Sequence, residues 1–212
     1  MSRWLVVMSV VVLAVVGGLA VVLTHQTPSH SATPETVALT SSARHQFGDL
    51  GDLVGASDLV VVGRVIADED GRTFGNPDAA GTGAPTAIRS HVLTLRVERV
   101  LSGADPSAGP NAPNSDVVVL VEEEYALGDG TPVRVDGMRR GRLGDRGVWF
   151  LTASTDPDFP AYALVNAQGR YLFGRGAVRG GDHTDALVRS VERMDPAQLQ
   201  DAVLSAATSI SR

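Results

Sequence analysis

The sequence contains no cysteine and no lysine, so all 18 of its basic residues are arginine. Without cysteine the chain has no disulfide, no thiol nucleophile and no cysteine-ligated zinc or iron–sulfur centre. Without lysine it has no Schiff base, no phosphate-loop lysine and no serine–lysine pair. These absences exclude several classes of catalytic site, and they leave the stability of the fold to its hydrophobic core.

Aromatic residues and positive charge are also scarce. Aromatic side chains make up 5% of the chain, and the formal net charge is −6 at pH 7. Proteins that bind nucleic acids rely on clustered positive charge to hold phosphates and on aromatic rings to stack bases. The composition therefore predicts no nucleic-acid partner.

The sequence has one long hydrophobic run, residues 4–23, which contains no charged residue. As a helix this run spans roughly 30 Å, the thickness of the hydrocarbon core of a bilayer. Arg3 precedes the run, and no basic residue follows it before Arg44, so the positive-inside rule predicts a cytoplasmic amino terminus. We expect a single-pass cell-membrane protein with a cytoplasmic tip at residues 1–3 and an extracytoplasmic carboxy-terminal part.

Two alternatives to a membrane anchor are open for this run. A cleaved secretory signal has an apolar core of about 7–15 residues and a small-x-small cleavage site. The nearest cleavage candidate ends at Ala32 and places His30, which is neither small nor apolar, at position −3. A buried core helix rarely contains more than about 14 wholly apolar residues. The anchor is therefore our prediction, and a cleaved signal is its main alternative.

The rest of the chain divides by composition. Residues 24–43 are rich in serine, threonine and proline without an apolar period, which is typical of a flexible tether. Residues 44–181 contain short apolar segments between loops of glycine, proline and asparagine, which indicate an extracytoplasmic β domain. Apolar residues at helical spacing predict carboxy-terminal helices within residues 182–207, the second of them capped by Asp195.

The predicted β domain begins with a short helix within residues 46–56, and a long loop follows its first strand. Strands are expected at 58–66, 88–101, 116–123, 131–135 and 147–152, with a loop over 67–87 and a hairpin over 161–173.

The clearest alternation falls in the strand over residues 88–101. Leu93 and Leu95 alternate with polar residues such as Arg96, which predicts one buried face and one wet face. His91 is in phase with the buried face. We interpret it as a partly buried histidine that hydrogen-bonds to the backbone, rather than as a catalytic base.

No complete catalytic, cofactor or metal motif is present. Residues 68–71 begin like a calcium-binding loop, but alignment on Gly71 places Ile66 and Pro77 where that loop needs carboxylates. Residues 174–179 begin like a dinucleotide-binding fingerprint, but Arg179 stands where the third glycine belongs. We therefore predict no catalytic, cofactor-binding or metal-ligating residues, and no enzyme activity.

Three segments carry a resemblance to known proteins. They read SDLVVVGRV at 57–65, LRVERVLSG at 95–103 and GVWFL at 147–151. In this order they resemble a group of bacterial exported or membrane-anchored proteins of unknown function and, more distantly, the netrin and metalloproteinase-inhibitor modules. The resemblance covers roughly residues 55–175 and implies a small five-stranded OB-like β-barrel. The inhibitor modules chelate a protease's zinc through an amino-terminal cysteine, so that activity does not transfer to a chain without cysteine.

Together these features predict a mainly β protein: a small OB-like β-barrel with flanking helices, preceded by one transmembrane helix. Its expected function is that of a membrane-anchored binding or scaffold domain without catalytic activity or cofactor. The alternative is a secreted hydrolase-like enzyme that uses His91 in a cleft after signal-peptide cleavage.

One basic stretch is the candidate surface for a protein partner. It contains Arg139, Arg140 and Arg142, and arginine is favoured at interfaces because its guanidinium binds carboxylates through two parallel hydrogen bonds. The other interpretation is a solvated loop of exposed charges.

Overall fold

A computed structural model describes residues 37–39, 46–74, 87–103, 118–127, 133–135, 138, 140–156, 158–181 and 183–210. The chain divides into two compact units, Met1–Thr33 and Pro34–Arg212, and every described residue belongs to the second. The predicted cytoplasmic tip and the predicted transmembrane helix at 4–23 lie outside the described residues. None of the described helices has the length and apolar character needed to cross a membrane.

The described part of the chain is mainly β, which confirms that part of the predicted fold class. In chain order the elements are β1 (Val37–Leu39), α1 (Leu50–Gly55), β2 (Leu59–Phe74), β3 (Ile88–Gly103), β4 (Val118–Leu127), β5 (Val133–Val135), β6 (Arg146–Ala153), β7 (Tyr162–Leu164), β8 (Arg170–Phe173), β9 (Val178–Arg179), α2 (Ala186–Val191) and α3 (Pro196–Ile210). Strand β1 falls in the predicted tether and pairs in parallel with β5.

Five strands pair into a closed ring. Their order is β2–β3–β4–β7–β6, and β6 pairs back with β2. Every neighbouring pair is antiparallel except β4 and β7, which run parallel. Strands β8 and β9 continue the sheet outward from β6.

Strand β2 is longer than predicted, because residues 67–74 continue the strand instead of forming a loop. They stay paired with β3 from Asp68, opposite Leu93, to Phe74, opposite Ile88. The register shifts between Val65 and Ala67 and again between Asp70 and Thr73. With these irregularities, the polar segment of β2, which has low β propensity, stays paired along β3. The backbone of β3 then satisfies the hydrogen-bonding groups of that segment.

The hairpin predicted over 161–173 is wrong. Strands β7 and β8 both pair with β6 along the same edge, Leu164 opposite Leu151 and Arg170 opposite Trp149. The residues between them leave that edge and return to it, and Phe150 donates its N–H to the carbonyl of Gly169 at 2.8 Å. The glycine-ended loop between β7 and β8 is therefore not a hairpin turn, because both strands run in the same direction along β6.

The strands separate two hydrophobic cores, because successive side chains point to opposite faces. The inner core of the ring contains Leu59, Val61, Val65, Leu93, Leu95, Val119, Val121, Trp149, Leu151 and Leu164. The outer core joins the other face of β2, β6 and β8 to the helices and includes Val60, Val62, Val148, Phe150, Tyr171, Leu53, Leu187, Val188, Leu199 and Val203. Strand β2 is thus covered on both sides, as its nearly continuous apolar run predicts.

The carboxy-terminal helices begin at carboxylate caps. Asp185 accepts a hydrogen bond from the N–H of Val188 at the start of α2. Asp195 accepts from the N–H of Gln198 at 2.9 Å, and the Gln198 side chain accepts from the N–H of Asp195, which is a reciprocal capping box. The predicted cap at Asp195 is confirmed, and α3 continues to Ile210, three residues past the predicted end.

Candidate functional site

One end of the inner face carries charged side chains instead of apolar ones. His91 lies two residues before Leu93 on β3, and Glu123 lies two residues after Val121 on β4, so both share the face of the inner core. Arg170 on β8 lies opposite a core residue of β6 and points to the same side. The alternation that builds the hydrophobic core therefore also brings an imidazole, a carboxylate and a guanidinium together.

Two further residues complete this group, which we call the charged cluster: Asp68, His91, Glu123, Arg140 and Arg170. Asp68 lies on the part of β2 that was predicted to be a loop, directly opposite Leu93. Arg140 enters from the segment that precedes β6. The cluster joins groups from three ring strands, from β8 and from that segment.

His91 is fully buried, and both of its ring nitrogens contact charged side chains. Nδ1 lies 2.7 Å from Oδ1 of Asp68, and Nε2 lies 3.1 Å from Oε2 of Glu123. Nε of Arg140 donates to Nδ1 at 3.1 Å. When the imidazole is neutral with its proton on Nε2, Nε2 donates to Glu123 and Nδ1 accepts from Arg140. When Nδ1 also carries a proton, that proton points to Asp68. The ring is thus fully buried and not partly buried as predicted, and its nitrogens contact side chains of β2, β4 and the segment that precedes β6.

The Glu123 carboxylate forms a buried ion pair with Arg170. The Arg170 side chain is 4% exposed and that of Glu123 is 9% exposed. Oε2 of Glu123 also accepts from the N–H of Gly141 at 3.0 Å. Burial raises the pKa of Glu123, but the charge of Arg170 and the hydrogen bonds from His91 and Gly141 outweigh it, so the pKa lies below its ordinary value of 4.5. Glu123 is therefore ionised in the folded protein at neutral pH.

Gly141 lies so close to this ion pair that a larger residue would require the side chain of Leu93 to move. A Cβ atom at this position would collide with Cδ1 of Leu93 and would lie 3.0 Å from Nη1 of Arg170. The segment that contains Arg140 and Gly141 is thus packed onto the end of the inner core.

The three arginines predicted to bind a partner have different environments. Arg140 donates from Nη2 to Oδ1 of Asp68 at 2.7 Å, so its guanidinium is engaged within the chain. Arg142 has an exposed side chain, and its backbone N–H donates to Asp145. Arg139 lies outside the described residues. Arg140 is exposed to solvent, as the solvated-loop interpretation expects, and is also paired with Asp68. Partner binding through this stretch stays a prediction.

Glu122, the neighbour of Glu123, points to the opposite face, as expected for adjacent residues of a strand. Its two carboxylate oxygens accept from Nε and Nη2 of Arg72 at 3.0 and 2.5 Å. Ser90 donates its hydroxyl to the same carboxylate at 2.7 Å. Arg72 also donates to Asp156 and lies 4.1 Å above the ring of Phe159. This outer cluster ties β2, β3 and β4 to the segment before β7.

The charged cluster pairs its acidic groups with basic groups of the same chain. A general base must reach a proton on its substrate, and the imidazole of His91 has no exposed surface. Within the described residues, no group of three or more histidine, aspartate or glutamate side chains is arranged to hold a metal ion. The carboxylates of the cluster instead face the guanidinium groups of Arg140 and Arg170.

Sequence reasoning named His91 but missed three of its companions. Glu123 carries a usable signal, because it continues the inward phase of Val119 and Val121. Asp68 fell in a predicted loop, and Arg170 is placed by pairing with β6, which no local pattern reveals. His183 also has a carboxylate partner, Glu192, at 3.0 Å.

We expect acid to destabilise the fold through the carboxylates of both clusters. Burial raises the pKa of Asp68 and of Glu122, but hydrogen bonds from their histidine, arginine and serine partners outweigh it, so both values are lowered, as for Glu123. The unfolded chain then binds more protons than the folded one as the pH falls. The stabilising contribution of these carboxylates is therefore complete above about pH 5 and is lost as the pH falls from their ordinary pKa values through the lowered values of the folded state.

Urea unfolding at about pH 6 and about pH 4 measures this loss. The control is Arg140→Gln, which removes a hydrogen bond that lowers the pKa of Asp68 and should therefore show a smaller change with pH. A free energy of unfolding that is equal at the two pH values would contradict the expectation.

Comparison of the chain with protein-family models finds no matching family, and no curated protein matches it.

Proposed function

We propose that this chain is a membrane-anchored extracytoplasmic binding or scaffold domain without catalytic activity. The observation that carries the proposal is the closure of the charged cluster. Its carboxylates are paired with arginines, its imidazole is fully buried, and the inner core below it is filled by apolar side chains. A domain built in this way offers its surface to other molecules and keeps its ionisable interior for stability.

We infer further that the ring is an OB-like β-barrel. The order β6–β2–β3–β4 follows the Greek key, in which three consecutive strands are joined by a fourth that returns beside the first. The OB-fold is a five-stranded Greek-key barrel, and β7 supplies the fifth strand by closing the gap between β4 and β6. This order supports the resemblance to exported proteins and to netrin-like modules.

The proposed location rests on the amino-terminal sequence. The apolar run at residues 4–23 is long enough to span a bilayer, and Arg3 before it favours an amino terminus in the cytoplasm. The domain then works outside the membrane, near its surface. A protein partner at that surface is part of the proposal, and a nucleic-acid partner is not, because the chain is acidic.

Chemical crosslinking of the full chain in native membranes tests this function. We expect a protein partner to be captured, and we expect Arg142→Ser to reduce the capture without changing thermal stability, because the Arg142 side chain is exposed. Arg140→Ser should instead lower stability, since it removes one hydrogen bond each from Asp68 and His91.

Arg99→Ser is the matched control for Arg142→Ser, because Arg99 is also exposed but lies on β3. Equal capture by the Arg142 and Arg99 variants would remove this stretch from the proposed contact. Recovery of the protein from the medium, with an amino terminus near residue 33, would contradict the anchor.

The alternative of a secreted hydrolase-like enzyme has one supporting observation, the contact of Asp68 with Nδ1 of His91. A carboxylate at this position orients a catalytic imidazole in hydrolytic triads. Here, however, the second nitrogen faces Glu123 and the ring is shielded from solvent. Hydrolytic turnover by the wild-type chain that disappears in His91→Gln, with folding retained, would overturn the non-enzymatic proposal.

A further inference from the structure

A cavity of about 690 Å³ opens beside the charged cluster, on the side where β6, β8 and β9 meet. Pockets that hold small organic ligands in proteins measure roughly 300–1,000 Å³. Arg170 reaches the wall of this cavity, whereas His91 and Glu123 do not line it. The cavity is thus separate from the buried imidazole and open to a ligand from outside.

The cavity wall is rich in guanidinium groups. Arg64 on β2 and Arg146 on β6 are directly opposite each other, and both contact a single carboxylate, that of Glu98. Arg146 donates to Glu98 at 2.7 Å and lies 5.2 Å above the ring of Phe173. Each guanidinium has five N–H donors, so two of them sharing one carboxylate keep donors for a further acceptor.

Arg179 on β9 adds a guanidinium that has no ion pair or hydrogen bond with any residue in the described part of the chain. The carboxylates of Glu98, Glu123 and Asp145 lie at or beside this wall, together with that of Glu192, which contacts His183 of the wall at 3.0 Å. These four carboxylates balance the four arginines of the wall in number. The suitability of the wall for an anion therefore comes from the donors of Arg179 and not from an excess of charge.

The same cavity also has an apolar side. Met138, Leu172 and Phe173 contribute to its wall, and all three are partly shielded from solvent. An inorganic anion uses only the guanidinium side. A ligand with an apolar body and one anionic group uses both sides, and apolar contact area adds to its affinity.

We propose that this cavity binds a small organic anion, with its phosphate or carboxylate group held by Arg179 and Arg146 and its apolar body against Phe173 and Leu172. The forked guanidinium suits both anionic groups, because each presents two oxygens in matching geometry. This inference rests on the proposed function as a binding domain and names the class of its ligand.

Isothermal titration calorimetry of the full chain in a neutral detergent tests the inference, with phenyl phosphate and benzoate as probes and phenol as the neutral control. We expect one of the two anions to bind saturably with 1:1 stoichiometry, and the stronger binder identifies the preferred group. Arg179→Gln should weaken its binding by about tenfold, the equivalent of roughly 1.4 kcal/mol. Arg99→Gln, an exposed arginine outside the cavity wall, should leave the affinity unchanged.

Three results would overturn the inference: no saturable binding of either anion, binding of phenol as strong as that of the anions, or equal losses in the Arg179 and Arg99 variants. Thermal unfolding of each variant verifies that the fold is retained. If crosslinking captures a protein partner and neither anion binds, the proposed binding function survives and only the cavity assignment fails. If an anion binds and no protein partner is captured, the cavity assignment survives and the proposed contact with a protein partner fails.

Discussion

Replacing Glu123 with leucine is expected to destabilise the domain by about 3–5 kcal/mol, because it removes the carboxylate that forms the ion pair with the buried guanidinium of Arg170. The Arg170 side chain is only 4% exposed, so water cannot replace the lost carboxylate. The N–H of Gly141 and the Nε2 atom of His91 lose their acceptor in the same step. Urea unfolding at neutral pH, followed by circular dichroism, measures the loss.

The double variant Glu123→Leu with Arg170→Met isolates the charge effect. Apolar residues of similar volume in place of a buried ion pair are often neutral or stabilising, so the double variant should recover a large part of the loss. Glu122→Leu is the matched control, since its partner Arg72 is partly exposed and can turn to solvent. A Glu123 variant no less stable than the Glu122 variant would show that the buried pair does not support the fold.

Leu95→Asp is expected to cost several kcal/mol and to prevent stable folding, because it puts an unpaired charge into the inner core. Arg96→Asp, one residue further along β3, should change the free energy of unfolding by about 0.5 kcal/mol or less, because the Arg96 side chain is exposed. Thermal unfolding of both variants, monitored by circular dichroism, provides the comparison.

A milder substitution keeps this comparison measurable if Leu95→Asp does not fold at all. Leu95→Ala removes buried methyl groups without adding a charge and should cost about 2–5 kcal/mol. Equal losses in Leu95→Ala and Arg96→Ala would mean that the two faces of β3 are wrongly assigned.

Local patterns in the sequence determined the mainly β character, the faces of β3 and the capped start of α3. The reason is that these features depend on neighbours within a few residues: alternation sets which side chains share a strand face, and Asp195 reaches only the first amide groups of its own helix. The opposite directions of Glu122 and Glu123 follow from the same alternation.

Tertiary structure alone decided the length of β2, the path of β7 and β8, and the membership of the charged cluster. The polar residues of β2 have low strand propensity, and it is the partner strand β3 that keeps them extended. Strand pairing depends on residues far apart in the chain. Arg170 meets Glu123 because β8 pairs with β6, whereas the predicted hairpin paired the segment of β8 with that of β7. The local sequence around Arg140 gives no indication of its partners. Only the pairing of β2 with β3 brings Asp68 and His91 together within reach of its guanidinium, because contacts between residues far apart in the chain are not specified by local sequence.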